Sequence, residues 1–156
     1  EPQYHARSKR YVYLIANMRD VPVFRRKYTW QVTVPLDLDA MRSASECLVG
    51  RHDFSSFRGA GCGARSAVRE IHDLVIEQTH GMSFLFTLSP GTYIKISIEG
   101  NAFLRHMVRN ITGTLAEVGR GRLSPERVRD ILESKDRKKA GTTAPAGGLF
   151  LERITY

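Results

Sequence analysis

The stretch NAFLRHMVRNITGTLAEVG, residues 101–119, sets two arginines and a histidine among the residues of a core-forming helix. Phe103, Met107, Ile111, Leu115 and Val118 recur at spacings of three and four, the period of one buried helical face. The pattern predicts a helix capped by Asn101 and ended by Gly119. Arg105 and Arg109 lie four apart and so share a face of that helix, with Thr112 beside Arg109. Like charges at this spacing destabilise a helix by roughly 0.2–0.5 kcal/mol. A phosphate backbone or a buried carboxylate against them would remove that cost.

Upstream of this helix, residues 93–99 alternate, with Ile94, Ile96 and Ile98 facing a core and Lys95, Ser97 and Glu99 facing away. Residues 9–16 read as a strand with Tyr11, Tyr13 and Ile15 on one side and Val12, Leu14 and Ala16 on the other. Apolar character on both sides predicts burial on both faces. Residues 28–34 also alternate, which places Tyr28, Trp30, Val32 and Val34 inward. Asp37 then caps a helix whose apolar side is Leu38, Met41, Ala44 and Leu48 and which stops at Gly50. A loop over 51–67 precedes a hairpin of 68–78 with 82–88, joined near Gly81. After residue 119 a short helix follows, with Ser124 as N-cap, Pro125 in its first turn and Leu123 stapled to Val128. Residues 135–148 are polar and Gly-rich, a flexible linker expected near a substrate, and 149–156 close the sheet. The order β, β, α, β, β, β, α, α, β predicts an α+β domain, a mostly antiparallel sheet covered by helices. A chain of 156 residues makes one such domain.

Lys and Arg number 24 against 16 Asp and Glu, a formal charge of +8 that favours a polyanionic partner. Cys47 and Cys62 form no metal-type pair, so neither a disulfide framework nor a zinc site is expected. No apolar run approaches the roughly 18 residues of a membrane span, and no signal-peptide pattern opens the chain, so a cytoplasmic location is expected. No cofactor motif is present, and no cofactor is expected.

The wording FLRHMVRNITG closely resembles the signature helix of the tRNA pseudouridine synthase A family. The resemblance continues through Tyr4 to Arg7, SKRYVY at 8–13, GRHDFSSFR at 50–58, KDR at 135–137 and APAGGLFL at 144–151. It spans nearly the whole chain in the expected order. It implies a pseudouridine synthase-like fold and an isomerisation of uridine in the tRNA anticodon stem-loop, in which the uracil is detached, turned and rejoined through C5. No redox cofactor or metal is needed for that chemistry. It also implies tRNA as partner and a homodimer.

Residue by residue, the resemblance implies that Tyr11 stacks on the target uracil, that Arg109 pairs with the catalytic aspartate, and that Leu149 packs against the base. A bidentate arginine would keep that carboxylate ionised. Arg7, Arg10, Arg58, Arg65 and Arg69 are implied as tRNA backbone contacts, with Arg105 on the same substrate-binding side. His5, His52 and His106 are candidates for meeting RNA, with no catalytic role assigned. The family's nucleophilic aspartate lies in a Gly-Arg-Thr-Asp-Ala-Gly-Val-His motif, and no Asp here has that context. Residues 1–156 are therefore expected to be the C-terminal half of such an enzyme, which binds but does not isomerise alone. The competing reading is a non-catalytic RNA-binding module, for which basic charge and aromatic strands suffice.

Overall fold

A computed structural model describes residues 6–84 and 87–156. Among the described residues six strands form one sheet: β1 (Ser8–Ala16), β2 (Trp30–Gln31), β3 (Gly50–Asp53), β4 (Val68–Phe84), β5 (Thr87–Gly100) and β6 (Leu149–Thr155). Three helices accompany them: α1 (Leu38–Ser45), α2 (Met107–Gly119) and α3 (Pro125–Ser134). The strand order is β2-β1-β5-β4-β3. Along β1, β6 pairs with Ser8–Tyr13 and β2 with Ile15 and Ala16, while β5 pairs with Lys9–Ala16. All described pairings are antiparallel except β1 with β2, so the α+β architecture and the mostly antiparallel sheet are found as expected.

Helix α2 packs across β1, and α1 packs against α2, α3 and β4. Tyr13, Ile15, Ile94, Ile96 and Ile98 from the sheet meet Met41, Leu48, Ile111 and Leu115 from the helices in one buried core. On the other side of the sheet Arg10 bridges Glu99 at 3.3 Å, Asp73 at 3.4 Å and Glu152 at 3.2 Å, and Arg153 reaches Glu99 at 2.7 Å. These solvent-side pairs orient side chains more than they stabilise, since exposed ion pairs are worth about 0–1 kcal/mol.

Several expectations are corrected. Helix α2 begins at Met107, not at Asn101. The Asn101 carboxamide oxygen instead accepts from the Glu70 and Ala102 backbone N–H groups, tying the exit of β5 to β4, and His106 takes a left-handed conformation at the helix start. Phe103 and Arg105 consequently precede the helix, and Arg105 shares no helical face with Arg109. The strands expected to meet near Gly81 run on instead: β4 and β5 pair out to Phe84 opposite Thr87. Gly81 marks a register slip between Thr79 and Gly81, a bulge where the sequence suggested a turn. Residues 85 and 86 lie outside the described residues, as do Tyr4 and His5.

Residues 51–53, expected within the 51–67 loop, instead form with Gly50 the strand β3 on the edge of the sheet. Conversely 28–34 yields only the two residues of β2, because the Asn17 side-chain amide donates to the carbonyls of Val32 and Val34 where ladder bonds would continue. Tyr28 and Val34 are exposed rather than inward. Asp37 caps α1 as expected, accepting from the Ala40 N–H at 3.0 Å. Ser124 occupies the N-cap of α3, yet its side chain makes no capping bond.

The 135–148 segment is not a flexible linker. Arg137 donates to Gly141 O, Asn110 Oδ1 and Thr143 Oγ1, Gly141 N–H donates to Thr114 Oγ1, and Ala144 N–H donates to Arg109 O. Asn110, fully buried on α2, also donates to Phe57 O at 2.8 Å, so one side chain ties two loops to the helix. Truncation as Asn110→Ala strands several of these buried groups, each at about 1–3 kcal/mol. The expected loss is about 2–4 kcal/mol in urea unfolding.

Candidate functional site

Alternation along β1 puts Tyr11 and Tyr13 on the face that α2 covers. Tyr13 is fully buried; its hydroxyl donates to Pro145 O at 2.6 Å and its ring meets Trp30 edge-on. A Cβ on Gly148 would lie 2.7 Å from the Tyr13 ring, so only glycine lets that turn close over the tyrosine. Burial pushes the Tyr13 hydroxyl well above the usual tyrosine range, and the nearby Arg109 opposes this in part. Tyr13 is therefore a neutral donor that holds the 145–148 turn in place.

Tyr11, two residues along, is only partly buried, and its ring stands edge-on to Phe103 at 5.1 Å between centroids. Leu149 lies opposite Tyr13 in the β1–β6 ladder, diagonal to Tyr11. Arg109, in the first turn of α2, donates from Nε to Ala144 O at 2.7 Å. Together with the Ala144 N–H to Arg109 O bond this makes a two-way clasp between helix and segment. No carboxylate among the described residues pairs with the remaining guanidinium N–H groups. A partly buried cation held by its stem, with its fork open, is built to receive an anion.

The structure thus brings Tyr11, Leu149 and Arg109 to one side of the sheet. The other arginines are placed differently. Arg10 points to the opposite sheet face, into the carboxylate network. Arg58 donates to the carbonyls of Cys62 and Ala64 and so closes its own loop, and Arg69 donates to Ser66 O and Val68 O. Arg7, Arg65 and Arg105 are exposed and enter no ion pair among the described residues. Tyr13 and Phe103 went unassigned in the sequence, although the Tyr-x-Tyr alternation of a strand was a usable signal. The carbonyls of Ala144 and Pro145 carry no sequence signal at all.

Beside this site, His106 is held below the ordinary imidazole range by burial first, then by Arg109 and Arg105. The unfolded chain therefore takes up the proton first as pH falls below about 6.5, and stability declines through that window. His106→Gln is expected to lose less of its urea midpoint than the unaltered protein between about pH 7 and about pH 5. The cysteines differ likewise. The Cys62 thiol is lowered by the Ala64 and Arg105 backbone N–H groups, whereas burial raises Cys47. Iodoacetamide is expected to label Cys62 well before Cys47 in peptide mass analysis; equal rates would contradict it.

Among the described residues no group of three or more His, Cys, Asp or Glu is placed to hold a metal, and no helix is long and apolar enough to cross a membrane.

A family model described as tRNA pseudouridine synthase matches residues 44–156. A protein of Myxococcus xanthus named tRNA pseudouridine synthase A is 47% identical over 156 residues, covering 100% of this chain and 55% of that protein. Proteins of the same name from Thermoanaerobacter sp. strain X514 and Pelobacter propionicus are 42% and 45% identical, each covering 99% of this chain and 59% of theirs. The chain spans a little over half the length of these curated relatives.

Proposed function

Because the chain belongs to the tRNA pseudouridine synthase family, we infer that it supplies the base-stacking tyrosine, the carboxylate-orienting arginine and an RNA surface for isomerising uridine to pseudouridine in the anticodon stem-loop of tRNA. The observation that carries this is the open guanidinium fork of Arg109, clasped at Ala144 on the same sheet face as Tyr11 and Leu149. Tyr11 stacks on the uracil once it leaves the helix, Leu149 packs at its edge, and Arg109 receives the aspartate that attacks or stabilises the ribose.

That aspartate is supplied from outside residues 1–156, which form the C-terminal half of the catalytic unit. Asp53 is engaged by Ser55, and Asp136 caps the 137–139 turn through Lys138 N–H; neither pairs with Arg109. The working enzyme is a cytoplasmic homodimer, in which one tRNA contacts both subunits.

Tritium release from tRNA labelled at uracil C5 tests this, because that proton leaves only when the carbon–carbon bond is completed. The 156-residue chain is expected to bind tRNA without release. A chimera carrying the part of the Myxococcus xanthus relative outside the match is expected to release it. Release by the chain alone would place the nucleophile within it and overturn the assignment.

A further inference from the structure

A cleft of about 490 Å³ opens between Gly59–Ala60 on one side and Ala140–Thr143 on the other, with His106, Arg137 and Lys138 on its walls. Both loops are fastened to α2 or the residues just before it. Gly59 N–H donates to Arg105 O at 2.8 Å, and a Cβ on Gly59 would meet that same carbonyl at 2.8 Å. Gly141 N–H donates to Thr114 Oγ1 at 2.9 Å, and a Cβ there would lie 2.9 Å from Thr114 Cα. The cleft is thus a gap of fixed width, set by two glycine contacts rather than by mobile side chains.

Its charge is one-sided. No carboxylate lines it, and Lys138 is exposed with no acidic partner among the described residues. The nearest acid in sequence, Asp136, is turned to the Lys138 N–H and does not line the wall. Two other clefts contrast with this: one holds Glu46, Glu126 and Asp130, the other Asp53 and Glu133. His106 holds a positive φ of 61°, an uncommon conformation for a residue with a side chain, and that conformation leaves its ring on the cleft wall. The imidazole remains neutral near pH 7 and so can bond an oxygen without adding a third cation beside Arg105 and Arg109. His106 lies three residues before Arg109, and Thr143 on the cleft wall precedes Ala144, whose carbonyl accepts from Arg109 Nε at 2.7 Å, so the cleft adjoins the Arg109 site.

We propose that this cleft, through Lys138, His106 and the Arg137-braced loop, binds a backbone phosphate of the tRNA strand whose neighbouring nucleotide enters the Tyr11–Arg109 site. The inference rests on the reading that the chain handles tRNA. A pre-organised cationic notch spends little ordering entropy on the ribose-phosphate chain and fixes its register, which is what phosphate contacts do for nucleic-acid binding.

The test is tRNA affinity against potassium chloride concentration for the unaltered protein, Lys138→Gln and Ala60→Glu. Arg129→Gln, on the exposed side of α3, serves as control. Lys138→Gln is expected to weaken binding roughly three- to tenfold and to lower the salt slope by about one unit. Ala60→Glu, which sets a carboxylate on the wall of the cleft, is expected to weaken binding at least as much, and Arg129→Gln to leave the slope unchanged. Both residues are exposed, so circular dichroism of the variants should match the unaltered protein. Unchanged slope and affinity in both cleft variants would overturn the proposal while leaving tRNA binding intact. Competition by millimolar inorganic phosphate for the cleft, without any change in the tRNA slope, would assign it to a free anion and overturn it as well. Failure of the unaltered protein to bind tRNA would instead remove the functional reading on which the proposal stands.

Discussion

Gly113→Ala is expected to lower stability by about 3 kcal/mol or more, the largest effect of any single methyl group in this fold. Gly113 is buried in the middle of α2, and an ideal Cβ there would fall far inside van der Waals contact of the Thr142 carbonyl and 2.9 Å from its carbon. Backbone faces backbone at that point, so no side chain can swing aside. The 141–144 segment would have to lift from the helix, taking with it the Gly141 bond to Thr114 and the clasp between Ala144 and Arg109. Alanine's better helix propensity, worth about 1 kcal/mol over glycine, does not offset that. Gly63→Ala is the control, since nothing lies within 4 Å of its Cβ position and its effect should stay within about 0.5 kcal/mol. Urea midpoints decide the matter: a Gly113→Ala midpoint equal to that of Gly63→Ala would mean that the segment is not seated on α2 as described.

The second large effect is on turnover. In the chimera, Arg109→Lys is expected to reduce tritium release about 100-fold while changing tRNA affinity little. Lysine keeps the charge but offers one point donor in place of a planar fork. It also loses the Nε donor that Ala144 O accepts, so the cation is no longer aimed. If the carboxylate partner is held in the chemical step, the loss appears in kcat and not in KM. A non-catalytic RNA-binding module predicts the reverse, mildly weaker binding with turnover unaffected. That outcome would move Arg109 from the reaction to the phosphate backbone.

The segments with a strong period were legible in the residues alone. The Ile94, Ile96, Ile98 alternation, the Tyr11, Tyr13, Ile15 face, the Asp37 cap and the apolar side of α2 from Met107 onward all follow from side-chain spacing, because burial of one face enforces it. The resemblance then named Tyr11, Arg109 and Leu149, which the fold gathers on one side of the sheet. Local pattern failed where a non-local partner overrode it. Asn101 looked like a helix cap but finds Glu70 N–H 31 positions away, which delays the helix to Met107. Gly81 looked like a turn but sits opposite Pro90 in a long ladder, where glycine absorbs a bulge.

Residues 135–148 show the division most clearly. Their glycines and lysines spell a loop, and nothing in that composition says whether it is loose or fastened. Its order comes from α2, through Asn110, Gly113 and Thr114, and from β1, through a Tyr13 hydroxyl 132 positions from Pro145. Side-chain periodicity along the chain thus accounts for which helices and strands exist and which faces they bury. The aim of Arg109, the neutrality of Tyr13 and the acid-free cleft beside His106 arise from contacts between segments far apart in the chain, where hydrogen bonding and burial depend on what the fold sets opposite each group.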